Sequence, residues 1–275
     1  MEVASVEFRE LRDRIRKRLG LYFDDSKEEV LRRRLQSRIR ACGVRNIAEY
    51  CRILDAAPAA QAEWDELASL LANGESYFFR QRGQLDVVAG PILAECRRRS
   101  QRLRVWSAAC ASGEEPYSVA MSLLENGQIR QGECSILASD LSLRAIERAK
   151  AGLYQEFALR ATPPAIVEKY FRPLQSWFRI EDRVKAMVRF TRLNLLDAHA
   201  VASVGMHDAV FCRNVLMYFE RGTQEAIARS FARVLRPGGY LFLGYAESFV
   251  YARDLFEPVV SRDALYFRRT DDAAH

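Results

Sequence analysis

The residues best placed for chemistry in this chain are three acids and a run of small side chains. The segment Val105-Trp106-Ser107-Ala108-Ala109-Cys110-Ala111-Ser112-Gly113-Glu114-Glu115-Pro116 passes from an apolar run through small residues and a glycine into the start of a helix. Small side chains let backbone approach a ligand closely. Glu114 and Glu115 suit the positive end of a helix dipole, and Pro116 in a first turn gives up no hydrogen bond. Further on, the apolar run Ser135–Ala138 ends in Ser139-Asp140, and an acid at the carboxyl end of such a strand typically takes ribose hydroxyls. This is nucleotide-binding chemistry, compatible with a dinucleotide or with S-adenosylmethionine (AdoMet). Ala108, Ala109 and Cys110 stand where a Gly-x-Gly-x-x-Gly motif would have glycines, which argues against NAD. An ordinary βα turn with a capping acid is the plainer reading of the segment alone.

The elements that must hold these residues follow from periodicity. Residues 5 to about 72 look all-helical, with Phe8, Leu11, Ile15 and Leu19, then Leu31, Leu35 and Ile39, then Tyr50, Ile53 and Leu54, then Leu67, Leu70 and Leu71 at helical positions. Breaks fall near Gly20, Gly43 and Pro58. From Gln84 the pattern alternates: a helix near 84–99, strand 103–107, helix 115–126, strand 134–139, helix 142–151, and strands near 208–213 and 239–245. Such alternation predicts an α/β domain with a mostly parallel, doubly wound sheet. Tyr170–Leu174, Trp177–Ile180 and Val184–Thr191 read as short strands of a small antiparallel insertion. The expected division is a helical domain at 1–72, a linker at 73–83, and a sheet domain at 84–275 with the insertion at 168–192.

Composition narrows the classes. The six cysteines are scattered without a C-x-x-C pair, and His199, His207 and His275 sit in no ligand spacing, so neither disulfide frame nor metal site is expected. No apolar run approaches the roughly 20 residues of a membrane span, and the polar start with Glu2 and Glu7 lacks a secretory core, so a cytosolic protein without membrane insertion is expected. Net charge is +6, unevenly spread: Leu31 to Arg45 holds six arginines (32, 33, 34, 38, 40 and 45) and no acid. That face is a solvated helix surface or a docking site for an anion; nucleic acid is disfavoured because no aromatics are interleaved.

Six ordered segments together resemble one family, the CheR-type chemotaxis receptor methyltransferases. They are Glu75-Ser76-Tyr77-Phe78-Phe79-Arg80, Val105–Ser118, Ala138-Ser139-Asp140, Leu193-Asn194-Leu195-Leu196, Phe211–Phe219, and Pro237–Gly244 with Glu247-Ser248. The resemblance implies a class I AdoMet methyltransferase fold and methyl transfer to glutamate side chains of a chemoreceptor. It places Arg80 and Tyr218 at the methyl-transfer end and Ser76 near the cofactor's amino-acid end. Glu115 would take the ammonium, Asp140 the ribose, and Asn194-Leu195 would lie beside adenine, with Arg213-Asn214 lining the cleft. It also implies that the basic helix, through Arg33, Arg34, Arg38 and Arg40, meets acidic methylation helices.

Plainer roles stand beside each: an interdomain salt bridge for Arg80, a core aromatic for Tyr218, caps or turns for Ser76, Asn194 and Asn214. Two departures are visible: Gly74 replaces the family's asparagine, with Asn73 one place earlier, and Cys110 occupies the turn. Family members that dock a receptor's C-terminal tether carry a glycine-containing loop in the insertion. Pro173–Trp177 has none, so an untethered enzyme is expected. Another acceptor, RNA or a small molecule, and a catalytically idle AdoMet-binding regulator are the alternatives.

Overall fold

The computed structural model describes residues 6–56, 60–71, 75–127, 129–130, 132–247, 252–261 and 263–270. Pro58, Asn73, Gly74, Ser248 and His275, singled out above, lie outside the described residues. The chain divides into two compact units, one holding residues 1–73 with Met217–Gln224, the other 74–216 with 225–275.

In the helical unit, α1 (Val6–Leu19), α2 (Glu28–Ala41), α3 (Ile47–Asp55) and α4 (Ala60–Leu71) follow one another. Phe8, Leu11 and Ile15 of α1 and Leu31 and Leu35 of α2 are buried, as their spacing predicts. Asn46 caps α3 by accepting from the Glu49 N–H at 2.9 Å.

The second unit opens with α5 (Arg82–Val87), a π-wound stretch at Val88–Ile92, and α6 (Leu93–Arg98). The stretch contains Pro91, which has no N–H to donate, and a wider turn relieves the clash with the preceding carbonyls. The expected single helix therefore has a π segment at its centre. Then come β1 (Leu103–Ala108), α7 (Glu114–Gly127), β2 (Cys134–Asp140), α8 (Leu143–Ala151), β3 (Leu153–Tyr154), α9 (Pro164–Tyr170), β4 (Phe171–Leu174) and β5 (Trp177–Ile180). The remainder is α10 (Asp182–Lys185), β6 (Val188–Arg192), α11 (Ala198–Ser203), β7 (His207–Cys212), α12 (Arg221–Val234), β8 (Leu235–Leu243), β9 (Phe256–Ser261) and β10 (Ala264–Arg269).

The main sheet runs β6-β2-β1-β7-β8-β10-β9. Its first five strands are parallel, while β10 and β9 are antiparallel. This is the predicted mostly parallel, doubly wound sheet of an AdoMet methyltransferase-like fold. Strand order reverses between β1 and β7, and the crevice beyond their carboxyl ends is where such folds bind ligands. The β7–β8 interface is sealed by Phe211 stacked on Phe242 at 4.5 Å.

The insertion differs from expectation. Val184 lies in α10, and Val188–Arg192 pairs in parallel with β2 in the main sheet, so the segment read as a third flap strand is not part of the flap. The small sheet is β3-β5-β4 instead, with Leu153 and Tyr154 as its third strand. A two-residue strand gives almost no alternation to detect in sequence.

Candidate active site

The turn after β1 is built from backbone. Ala109 and Cys110 N–H groups donate to the Ser139 carbonyl at 2.8 and 2.9 Å, which stitches the turn to the end of β2. Ala109, Ala111 and Gly113 all have positive φ (71°, 48° and 93°), a course that only small residues follow at low cost. A Cβ at Gly113 would lie 2.9 Å from the Ala149 Cβ and 3.1 Å from the Tyr154 hydroxyl, so only glycine fits.

Asp140 closes this turn from the β2 side. One carboxylate oxygen accepts from the Ala111 N–H at 2.9 Å, the other from the Ser142 N–H at 2.8 Å. Burial raises its pKa, while these backbone donors pull it back. Its carbonyl accepts from the Leu193 N–H at 3.0 Å, which brings Asn194 and the buried Leu195 to the same sheet edge.

At the head of α7 the two glutamates differ. Glu115 is fully engaged, accepting from the Ser107 hydroxyl and from Arg213 Nε, each at 2.6 Å. Glu114 is 5% exposed, and its Oε2 has no partner among the described residues. Burial pushes its pKa up to about 7, against the pull of its own backbone N–H, Ser76 and Arg160.

Arg213, at the end of β7, ties these groups to Arg80. Besides Glu115 it donates to the Arg80 carbonyl at 2.7 Å and to the buried Gln84 Oε1 at 3.3 Å. The Arg80 loop needs such support, because Phe79 and Gln81 on either side have φ of 58° and 53°, strained for non-glycine residues. Phe78, packed edge-on against Tyr154 and Phe171, and a bond from the Phe79 N–H to the Ser118 hydroxyl fix the other side. The Arg80 guanidinium lies 5.5 Å from the Tyr77 ring centre and forms no ion pair with a described residue. Beyond Arg213, Asn214 has φ of 60° and a buried Oδ1 without a partner among the described residues. Tyr218 ends a 3₁₀ turn at Leu216–Tyr218, is half-buried, and accepts from the Tyr22 N–H through its carbonyl at 2.7 Å within the helical unit.

Two comparisons with known proteins cover nearly this whole arrangement. Residues 6–72 match the model of the CheR methyltransferase all-alpha domain and residues 74–265 that of the CheR methyltransferase SAM binding domain. The chain belongs to the CheR methyltransferase family. It is an AdoMet-dependent methyltransferase (SAM is AdoMet). It is 37% identical over 254 residues to the chemotaxis protein methyltransferase of Klebsiella aerogenes, covering 90% of this chain and 85% of that one. With the Escherichia coli protein of the same name identity is 34%, covering 90% and 86%. Among solved structures it is similar to magnesium protoporphyrin IX methyltransferase from Synechocystis with bound SAM, at TM-score 0.38 and 14% identity over 98% of each chain.

The chemistry of the cleft fits AdoMet. The orphaned acceptors Glu114 Oε2 and Asn214 Oδ1 call for donors, and the cofactor offers an ammonium, an adenine amine and ribose hydroxyls. In this CheR-family chain the basic helix is less uniform than its sequence. Arg38 is spent on Glu63, at 2.5 Å, and on Glu66, at 3.2 Å. Arg34 donates to the Leu71 carbonyl at 3.1 Å. Arg33 and Arg40 are exposed and unpaired among the described residues.

Three residues of the site were given no such role by sequence reasoning: Glu114 reads as a helix start, Glu247 as part of a motif without a role, and Gln84 only as the start of a helix. Burial separates them from surface polar residues, and a single sequence does not display it.

Proposed function

We propose that this chain methylates glutamate carboxylates on the methylation helices of chemoreceptors, forming glutamate methyl esters. The observation that carries the reading is the strained Arg80 loop, held by Arg213 in the same unit as the β1 turn and Asp140. It is supported by the names of the relatives above. In this reading residues 1–72 meet the receptor, 73–83 form a linker bearing Ser76 and Arg80, and the rest is the AdoMet-binding domain.

AdoMet, when bound, supplies an electrophilic methyl on a sulfonium. Asp140 orients the ribose from its backbone-held position, Asn194 and Leu195 flank the adenine, and Ser76, Glu115, Arg213 and Asn214 hold the amino-acid end. A glutamate with pKa near 4.3 is already ionised at neutral pH and needs no general base. Position and a dry site are what remain to be supplied. Arg80 holds the substrate carboxylate through its planar fork, and Tyr218 adds one neutral donor. Charge disappears as the ester forms, so a neutral hydroxyl disturbs the balance less than a second cation.

Arg33 and Arg40 are the outward charges suited to an acidic receptor helix. The β4–β5 connection is a two-residue turn, Gln175-Ser176, which supports direct recognition without a C-terminal tethering peptide. The test is transfer from methyl-labelled AdoMet to receptor membranes, to RNA and to no acceptor. Base-labile label on the receptor, lost when its methylation-site glutamates are changed to alanine, supports the reading, and base-stable label or label on RNA rejects it. Arg80→Ala and Tyr218→Phe should lower the rate about 100-fold and about 10-fold respectively while AdoMet still binds.

A further inference from the structure

Arg160 follows a 3₁₀ turn, Glu156–Leu159, on the connection from the flap strand β3 to α9. Its guanidinium sits between two aromatic rings, 3.9 Å from the centre of Tyr77 and 3.8 Å from that of Phe157, and one of its nitrogens donates to the Phe157 carbonyl at 2.8 Å. Phe157 is 64% exposed, an apolar ring left largely in water beside a charge. The Tyr77 segment is tied to the same turn through the Phe78 N–H, which donates to the Ala158 carbonyl at 2.9 Å. The Tyr77 ring also carries Arg80, at 5.5 Å, so the two guanidinium carbons are no farther apart than those two ring distances together. All of these residues belong to the sheet unit. Arg160 stands near the head of α7 as well, where its charge helps pull the Glu114 carboxyl down against burial.

A guanidinium stacked on both faces has lost much of its conformational freedom, and its edge is what remains to bind. Here that edge is underused. The acid beside it, Glu75, lies 3.5 Å away on a side chain that is 68% exposed, which makes a loose ion pair. Arg38 with Glu63 and Arg213 with Glu115 are closed more tightly. Two cations on one tyrosine ring repel each other unless anions meet both, and a single glutamate at Arg80 answers only one of them. On a helix, residues three and four apart hold their Cβ atoms within about 6 Å, so an acid one turn from the reacting glutamate can reach the second cation. We propose that Arg160 is a specificity-determining residue that binds an acidic side chain of the acceptor helix within one turn of the glutamate held by Arg80. This rests on the proposed methylation of receptor glutamates.

The experiment compares the wild-type full chain with Arg160→Met and Arg160→Lys on two receptors. One receptor is native; in the other, acids within four residues of each methylated glutamate are changed to glutamine or asparagine. Kinetics are read by receptor methylation, AdoMet affinity by calorimetry, and folding by thermal unfolding. Arg160→Met keeps a long side chain between the two rings and removes the charge. On the native receptor it should raise KM roughly 5- to 10-fold, as for one partly exposed charged contact, with kcat and AdoMet affinity each within about 2-fold. Arg160→Lys keeps the charge without the planar fork and should fall between the two. On the neutralised receptor the wild type should start from a raised KM, and Arg160→Met should add nothing further. An unchanged KM on the native receptor would overturn the proposal. So would an equal loss on both receptors, or a loss confined to kcat, since either makes Arg160 a support for the Arg80 segment alone. Absence of wild-type transfer to receptor glutamates would remove the methylation reading and this inference with it, whereas normal wild-type transfer with an unchanged KM in Arg160→Met removes this inference alone.

Discussion

Two arginine–glutamate pairs, one in each unit, use the same chemistry to different ends. In the helical unit Arg38 bonds Glu63 through Nε at 3.0 Å and through a second nitrogen at 2.5 Å, and the Tyr50 hydroxyl completes Glu63 at 2.5 Å. In the sheet unit Arg213 bonds Glu115 at 2.6 Å, but its other contacts run outward to the Arg80 carbonyl and Gln84. Around Glu63 both oxygens are satisfied. Beside Glu115 and Arg213, the neighbouring Glu114 and Asn214 each keep a buried acceptor without a partner among the described residues. A complete network belongs to the architecture, whereas a network with orphans at its rim is arranged for something that binds.

The largest effect that sharpens this contrast comes from breaking each pair. Arg213→Ala leaves Glu115 buried and unpaired, and should cost about 3–5 kcal/mol in chemical denaturation as well as most AdoMet affinity. Arg38→Ala should destabilise by a similar order, about 3 kcal/mol, with AdoMet affinity unchanged in calorimetry. Equal losses of AdoMet binding in both variants would erase the distinction.

Next in size is Asp140→Asn, which keeps the side-chain volume but removes the charge that accepts two backbone N–H groups. AdoMet affinity should fall about 10- to 100-fold, as for a lost charged hydrogen bond.

The two units should also respond oppositely to pH. Glu114 has a folded pKa of about 7, above its ordinary 4.5, so the folded state holds the proton more tightly. Its contribution to stability is therefore present at low pH and lost as pH rises from about 4.5 through 7. Glu114→Gln should remove that slope and gain up to about 3 kcal/mol at pH 8, read from urea midpoints across pH. For Glu63 burial pushes the pKa up, but Arg38 and Tyr50 outweigh it, and the net shift is downward. Its contribution is present above its ordinary value and lost as pH falls below it. A Glu114→Gln variant with the wild-type pH profile would contradict the assignment.

The smallest effect concerns the surface. Arg33→Ala/Arg40→Ala should leave the thermal midpoint unmoved. It should slow receptor methylation several-fold at low salt, with the difference closing as ionic strength rises.

Much of the molecule is legible in the chain because the signals are local. Leu31 and Leu35 face inward at helical spacing, the small residues before Gly113 announce a backbone turn, and Asp140 ends its strand, where its carboxylate accepts from that turn. Other features have no local signal. Arg33 and Arg38 are alike in sequence, yet one is exposed and the other is bound by glutamates of α4. Val188–Arg192 has strand character, but whether it joins the flap or β2 is settled by pairing with a distant strand.

The sequence by itself determined the helical domain, the alternating α/β order and the small-residue turn after β1, since periodicity, capping and small-residue runs act between neighbours. Tertiary structure decided which like residues diverge. Glu114 is left with an orphaned oxygen while Glu115 is paired, and Glu247 accepts from the backbone N–H groups of Asn214 and Leu216, because burial and partners come from segments far apart in the chain. The free energy of a carboxylate depends on those surroundings far more than on its neighbours in sequence.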